Sequence, residues 1–239
     1  METMNIPRFD VLRSADRGHA NHGWLDSYHS FSFANYYNPE KMGFRSLRVI
    51  NQDIIAGGGG FPTHPHRDME IFTYMLEGAL SHEDSLGNKG SIHPGEIQLM
   101  STGSGVTHSE FNPSSTQAAS LLQIWLTPSE QGLKPSYTDW TPSESQRQAS
   151  KSLMISPDGR DQSATIHQDA YIYKVKLAAG ETITHPLAEN RAAWLQLIDG
   201  VLTVNDTLLT AGDAASTEQA GVISITATEA SEALFFDLA

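Results

Sequence analysis

Cysteine is absent from the 239-residue chain. Its absence excludes disulfide bonds, thiolate catalysis and metal sites with sulfur ligands, such as iron–sulfur clusters. Any metal ion bound by this chain must therefore take nitrogen and oxygen ligands, which ten histidines and 28 acidic residues are available to supply.

Basic residues are few: 15 Lys and Arg stand against 28 Asp and Glu, and the formal net charge is −13. They form no patch of the kind that a phosphate backbone requires, so we expect no direct binding to nucleic acid. The sequence contains no run of about 18 consecutive apolar residues, which is the length that a membrane-spanning helix needs. The first residues also include Glu2, Arg8 and Asp10, where a secretory signal needs an apolar stretch. We therefore expect a cytoplasmic protein that does not bind membranes.

The chain contains many short segments of alternating or continuous apolar residues, bounded by Gly, Pro, Asn or Asp. Sustained helical periodicity is missing. This pattern predicts an all-β fold, either a sandwich or a barrel. The clearest predicted strands are SLRVI (46–50), IFTYML (71–76), SLLQIWL (120–126), YIYKVKL (171–177), AWLQLI (193–198), GVISI (221–225) and ALFFDL (233–238).

Two domains are indicated by a change of composition and by a rough internal repeat. Residues 128–150 are rich in Pro, Ser and Gln and are expected to form an exposed connection with at most one helical turn. The order GGGGFPTHPH, IFTYMLEG, HPGE in the first half is repeated as AAGETITHPL, AAWLQLIDG, TAGD in the second. We predict an N-terminal domain over 1–128, a linker over 129–150 and a C-terminal domain over 151–239.

Four residues of the first half have the spacing of metal ligands. His64 and His66 lie two apart in THPHRDME, as do His108 and Glu110 in GVTHSEFN. Residues two apart on a strand share a face, and neighbouring strands ~4.8 Å apart bring two such pairs within reach of one ion. In an octahedral arrangement four protein ligands leave two positions open, which favours a catalytic ion over a structural one.

The motifs around these residues also resemble a known family. GGGFPTHPHRDMEIFTYMLEG is similar to the first motif of the cupin superfamily, and PGEIQLMSTGSGVTHSEFN is similar to the second. With RGHANHGWLDSYHSFSFANYYNP, MGFRSLRVIN and HEDSLGN, nearly all of residues 13–127 resembles the pirin family of bicupins. The resemblance implies two tandem cupin barrels and one metal ion, held in the N-terminal barrel by the residues at His64, His66, His108 and Glu110.

The resemblance also chooses between two carboxylates. Glu70 matches the Glu of the general cupin motif, but pirins take their carboxylate ligand from the second motif, which implies Glu110 as the ligand and Glu70 as a supporting or packing residue. In the second half, His185 is followed by Pro186 and Leu187, so only one imidazole remains. We expect that barrel to bind no metal.

The other histidines of the first half are not expected to be ligands. We expect packed or hydrogen-bonded roles for His19, His22 and His29, and exposed positions for His82 and His93.

Some pirins cleave the flavonol quercetin with dioxygen, and others act as iron-dependent partners of transcription factors. We predict a metal-dependent dioxygenase that opens the ring of a flavonol such as quercetin, with Glu110 as the base that accepts the substrate's hydroxyl proton. The alternative is a non-enzymatic, redox-sensing metal protein that acts through a regulatory protein partner. A sugar-isomerase or storage cupin shares the fold but not the N-terminal segment. The resemblance favours iron, while the ligand types equally suit Zn, Mn, Ni, Co or Cu.

Overall fold

The computed structural model describes residues 6–239. The chain divides into two compact units. The first contains residues 17–142 and 166–168, and the second contains residues up to 16, 143–165 and 169–239. No helix among the described residues is long and apolar enough to cross a membrane.

Both units are built of strands. In chain order the strands of the first half are β1 (Asp10–Leu12), β2 (Gly18–Asn21), β3 (Leu25–His29), β4 (Leu47–Ile55), β5 (Gly60–His66), β6 (Glu70–Glu77), β7 (Leu80–Asp84), β8 (Lys89–Ile92), β9 (Ile97–Ser101), β10 (Val106–Phe111), β11 (Ala119–Leu126) and β12 (Ser136–Trp140). Those of the second half are β13 (Lys151–Ser156), β14 (Ala164–Thr165), β15 (Ala170–Leu177), β16 (Thr182–Leu187), β17 (Ala192–Asp199), β18 (Val201–Val204), β19 (Thr207–Thr210), β20 (Ala214–Thr217), β21 (Gly221–Ala227) and β22 (Ser231–Leu238). A helix, α1 (Glu144–Gln148), and short 3₁₀ turns at Ser14–Asp16 and Arg160–Gln162 complete the described elements.

The first unit has a seven-stranded sheet in the order β12-β9-β6-β11-β4-β3-β2 and a four-stranded sheet in the order β5-β10-β7-β8. One apolar cluster joins the two sheets: Leu25, Ile55 and Met75 of the large sheet pack with Leu80 and Ile92 of the small one. The sheets therefore face each other across a shared interior, and the all-β prediction is confirmed.

The second unit repeats this arrangement. Its large sheet has the order β1-β20-β17-β22-β15-β13-β14, and its small sheet has the order β16-β21-β18-β19. Each strand has a counterpart at the same place in the first unit, so the repeat predicted from the sequence reflects two copies of one strand order. The hairpins after β6 and β17 turn at Gly78 and Gly200, whose φ angles of 76° and 86° are rarely adopted by other residues.

The compact units differ from the predicted ranges in several places, two of which involve strands. Strand β1 pairs with β20 and therefore belongs to the C-terminal unit. The segment predicted as a linker contains β12, which extends the first unit's large sheet beside β9 and buries Trp140. Both strands are short and largely exposed, so their apolar pattern is too weak to reveal them.

Candidate metal centre

Strands β5 and β10 carry the four predicted ligands as antiparallel neighbours in the small sheet. His64 lies directly opposite His108, and His66 lies opposite Val106. The pairing of the two strands shifts by one residue between His108 and Glu110. Glu110 therefore pairs with Phe61, one residue away from the β5 partner that an unbroken register would give it. The extra residue lies on β5, so β10 keeps its alternation and His108 and Glu110 are both buried on the same face of that strand.

The three histidines converge. One ring nitrogen from each of His64, His66 and His108 lies within 4.8 Å of the others. The ring centroids are 4.5 to 4.9 Å apart, and the Nε2 atoms of His64 and His108 are 3.1 Å apart. Two ligands ~2.1 Å from a common ion at a right angle are separated by about 3 Å, so this spacing fits neighbouring ligands of one metal ion.

Two of the convergent imidazoles, His66 and His108, are held in the neutral form that binds metals. Burial, followed by the nearby His64, lowers the pKa of His66 to about 4. Burial, together with His64 and His66, lowers the pKa of His108 to about 2. At neutral pH these two rings therefore keep a lone pair for a ligand, as metal binding requires.

Hydrogen bonds behind the rings select the nitrogen that faces the interior. His64 donates from Nδ1 to the carbonyl oxygen of Pro62 at 2.8 Å, so its Nε2 is the nitrogen that faces His108. His108 meets His82 through their Nδ1 atoms at 3.4 Å, so its Nε2 is also directed toward the shared point. Such partners orient metal-binding histidines and fix their tautomers.

His82 contradicts the expectation of an exposed side chain, because only 3% of it is accessible. Its Nε2 lies 3.3 Å from Asp84 Oδ2, and its ring stacks on Tyr137. Burial tends to raise the pKa of Asp84, but hydrogen bonds from Asn88 and Leu86 outweigh it and lower that pKa. The alternation of Leu80, His82 and Asp84 toward the interior is the sequence signal that identifies this pair.

Glu110 is buried, with 1% of the residue accessible. Gln123 donates from Nε2 to Glu110 Oε2 at 2.9 Å, and Gln98 and Thr73 donate to Oε1. Burial, the largest influence, raises the pKa of Glu110 to about 7, although Gln123 acts in the opposite direction. Its carboxylate lies within 4.8 Å of ring nitrogens of His82 and His108, beside the three-histidine group rather than inside it.

Glu70 lies elsewhere. Ser101 donates to Glu70 Oε1 at 2.5 Å, and the backbone N–H of His167 donates to Oε2 at 3.3 Å. It belongs to neither of the groups of converging ligand-type side chains found among residues 6–239. The structure therefore gives Glu70 a supporting role in which these hydrogen bonds satisfy its carboxylate.

The remaining predicted histidines have other partners. His29 is buried and donates from Nδ1 to Asn51 Oδ1 at 2.8 Å, and His19 lies 2.6 Å from Asp26. His93 is exposed, as predicted. His22 lines the cavity beside the histidine group.

A cavity of about 710 Å³ opens beside the three histidines. Its aromatic walls include Trp24 and Phe61, whose rings meet edge to face at 5.2 Å, and Phe33 and Trp125, which meet in the same way at 5.4 Å. Glu110 is also part of the lining. The cavity therefore combines flat apolar walls with ligand-type side chains, as small-molecule sites commonly do.

The second unit differs at the corresponding positions. His185 occupies the place of His64 in the strand order, while Leu187, Ile223 and Ile225 occupy those of His66, His108 and Glu110. His185 is held between Lys151, which donates to Nδ1 at 2.6 Å, and Asp237, which accepts from Nε2 at 2.7 Å. Hydrocarbon side chains and one engaged imidazole are a poor ligand set for a metal ion.

The chain matches two family models. The pirin model matches residues 11–126, and the model described as the quercetinase C-terminal cupin domain matches residues 153–238. A curated protein of Escherichia coli K12, named quercetin 2,3-dioxygenase, is 50% identical over 228 residues, which cover 95% of this chain and 97% of that protein. The chain belongs to the pirin family. The predicted resemblance is confirmed.

Solved pirin structures agree with the fold. The crystal structure of YhhW from Escherichia coli has a TM-score of 0.94 at 47% identity, covering 97% of this chain and 98% of that one. The structure of the same bacterial pirin in complex with nickel(II) has a TM-score of 0.92 at 47% identity, covering 97% and 99%. Two tandem cupin barrels are therefore the architecture of this pirin, as predicted.

Proposed function

We propose that this protein is a metal-dependent dioxygenase that opens the ring of a flavonol such as quercetin with dioxygen. The observation that carries the proposal is the convergence of His64, His66 and His108 on one point at the wall of a 710 Å³ aromatic cavity. The relative from Escherichia coli that is 50% identical over nearly the full chain bears the name of this activity.

The proposed ligands are His64, His66, His108 and Glu110. The three imidazoles offer ring nitrogens, and Glu110 supplies the one negative charge of the set. When bound, a divalent ion at these residues supplies Lewis-acid polarisation of an enol or carbonyl oxygen and a place where dioxygen reacts. The metal is proposed to be iron, although nickel(II) is the ion named in the structure of the similar bacterial pirin.

Glu110 is proposed as the base that accepts the proton of the flavonol hydroxyl. Its Oε1 accepts from Gln98 and Thr73, whereas Oε2 accepts only from Gln123 among the hydrogen bonds found. A carboxylate oxygen has about two lone pairs, so Oε2 keeps one, which would serve the metal ion before the flavonol binds and accept the flavonol's proton afterwards. Gln123 fixes the direction of that oxygen, and the buried surroundings exclude competing water.

The aromatic walls orient the substrate. Trp24 and Phe61 on one side and Phe33 and Trp125 on another offer surfaces against which the flat rings of a flavonol pack. His66 contacts the Trp125 ring edge to face at 4.8 Å, so the substrate's position is linked to a proposed ligand. The chain's own residues thus bind and orient the flavonol, while Glu110 holds its proton.

The test is aerobic turnover by protein loaded separately with Fe(II) or Ni(II). Loss of flavonol absorbance and dioxygen uptake are followed together, with metal content measured by elemental analysis. We expect turnover by the loaded protein and none by the metal-free protein or by His64→Ala. A loaded protein that binds metal but consumes no dioxygen would contradict the enzyme proposal and favour a regulatory metal protein.

A further inference from the structure

A row of polar side chains crosses the interior of the large sheet in the N-terminal barrel. The cross-strand pairs place His29 opposite Asn51, Asn51 opposite Gln123, Gln123 opposite Thr73, and Thr73 opposite Gln98. All five residues are buried. A polar row of this kind costs desolvation free energy unless each group finds a hydrogen-bond partner.

The barrel fold does not require this row. In the second barrel, the cross-strand pairs at the corresponding positions join Leu153, Tyr173, Phe235, Leu195 and Ala215. These residues belong to or pack against an apolar core. The same strand order therefore forms with four hydrocarbon side chains and one tyrosine in the row, so the polar residues of the first barrel call for a functional explanation.

Glu110 explains three of the five residues in the row. Gln98, Thr73 and Gln123 all donate to its carboxylate. Glu110 does not explain the other two residues of the row, because His29 Nδ1 donates to Asn51 Oδ1 at 2.8 Å. Two residues further along the same two strands, Ser27 donates to Asp53. Neither pair contacts the proposed metal ligands through any hydrogen bond found. All four residues line the cavity.

We propose that Ser27, His29, Asn51 and Asp53 form a hydrogen-bonding subsite that receives hydroxyl groups of a polyhydroxylated aromatic ligand. This inference rests on the proposed function, because it concerns the substrate of the same cavity. The four residues lie on β3 and β4 of the large sheet, whereas the converging histidines lie on β5 and β10 of the small sheet. A ligand between the facing sheets meets the metal residues on one wall and this subsite on the other.

The chemistry of the subsite suits phenolic hydroxyl groups. A carboxyl group accepts hydrogen bonds whether or not it is protonated, and Ser27 provides one donor to Asp53, which leaves capacity for a phenol O–H. The amide of Asn51 and the ring of His29 add both donors and acceptors. Among residues 6–239, no Lys or Arg lines the cavity, so the subsite favours neutral hydroxyls over carboxylates or phosphates.

The experiment compares two flavonols that share the hydroxyl–carbonyl pair needed at the metal. Quercetin carries additional hydroxyls on its rings, and 3-hydroxyflavone carries none. Nickel(II)-loaded protein is titrated with each ligand without oxygen, and dissociation constants are measured by calorimetry. We expect quercetin to bind at least tenfold more tightly, since one hydrogen bond changes affinity by roughly two- to tenfold and the additional hydroxyls of quercetin can form more than one with the subsite.

The variants take their replacements from the second barrel, where the fold tolerates them. Asp53→Val and His29→Leu introduce the side chains of Val175 and Leu153 at the corresponding positions. Each should bring the affinity for quercetin to within about threefold of that for 3-hydroxyflavone, while leaving the latter within threefold of the native value. Gln52→Leu is the matched control, because Gln52 alternates to the other face of β4, and it should keep the tenfold preference.

The outcomes separate the two proposals. Native protein that binds neither flavonol overturns the proposed function and the subsite with it. Native protein that binds both without preference, or variants that retain the preference, overturn the subsite and leave the proposed function standing. If a hydrocarbon variant fails to fold or to hold nickel(II), the decision passes to Asp53→Asn, which must lower the preference at least threefold.

Discussion

His108 and His82 meet through their Nδ1 atoms, which lie 3.4 Å apart. Asp84 accepts from Nε2 of His82, so the proton of His82 resides on Nε2 and its Nδ1 is free to accept from His108. This fixes the tautomer of His108 and leaves its Nε2 for a metal. His82 and Asp84 are therefore positioning residues for a ligand that they support from behind.

Replacing His82 should weaken metal binding without removing a ligand. His82→Leu is expected to lower the affinity for Ni(II) roughly 10- to 100-fold, as loss of a supporting hydrogen bond commonly does. His82→Gln should restore part of the affinity, because the amide oxygen of Gln accepts a hydrogen bond from His108 in place of the His82 Nδ1. Competition with a chelator measures the affinity. His93→Leu, an exposed control, should bind as the native protein does, and equal affinity in His82→Leu would refute the positioning role.

Glu110→Gln separates metal binding from proton transfer. The amide keeps the shape and an oxygen ligand but accepts a proton poorly, so flavonol turnover should fall roughly 10²- to 10⁴-fold. Metal content should remain within about twofold of the native value. Glu77→Gln changes an exposed carboxylate at the end of the neighbouring β6 and should have no effect. Full turnover by metal-loaded Glu110→Gln would show that another group takes the proton.

Asp53 should make the metal-free protein less stable as pH rises. Burial raises the pKa of Asp53 to about 7, above the ~3.9 of an unfolded chain. Between these values the folded protein holds a proton that the unfolded chain releases, so this contribution to the unfolding free energy is complete below pH 4 and is lost as pH rises through 7. The unfolding free energy of the native protein should therefore decline between pH 5 and pH 8, and Asp53→Asn should remove roughly 2–3 kcal/mol of that decline.

Urea unfolding of the native and Asp53→Asn proteins at both pH values checks this expectation. Glu83→Gln, an exposed change on β7, is the control and should leave the decline as it is in the native protein. An unchanged decline in Asp53→Asn would mean that Asp53 does not hold its proton in the folded state.

Asp237 should be a structural residue of the second barrel. It accepts from His185 and Arg191 while 7% accessible, so Asp237→Ala leaves the buried Nε2 of His185 without its acceptor and removes one of several acceptors from Arg191. We expect a loss of about 3–5 kcal/mol of unfolding free energy, with metal content unchanged. Urea unfolding and elemental analysis measure both. The exposed Asp206→Ala should change stability by less than about 0.5 kcal/mol, and loss of metal from folded Asp237→Ala would contradict the structural role.

The sequence predicted those parts of the site that depend on local spacing. His64 and His66 are two apart on one strand, and the period of a strand places them on one face whatever the rest of the fold does. The seven strands predicted from apolar patterns are also present, because each is buried and bounded by turn residues. Gly78 and Gly200 mark equivalent hairpins, which is why the internal repeat was visible.

What the sequence did not predict depends on pairing between distant segments. The contact between His82 and His108 joins residues that are 26 apart, and the polar row from His29 to Gln98 requires the order of five strands. Register is set by the whole sheet and cannot be read from one strand. The placement of β1 in the C-terminal unit has the same cause, since its partner β20 lies about 200 residues later.

The most direct test of the central claim is the fate of isotopically labelled dioxygen. Metal-loaded protein is supplied with quercetin and ¹⁸O₂, and the ring-opened product is analysed by mass spectrometry, with His64→Ala under the same conditions. A dioxygenase that works at His64, His66, His108 and Glu110 incorporates two ¹⁸O atoms per quercetin lost, and His64→Ala forms no product. Unlabelled product, or equal product from His64→Ala, would contradict this account.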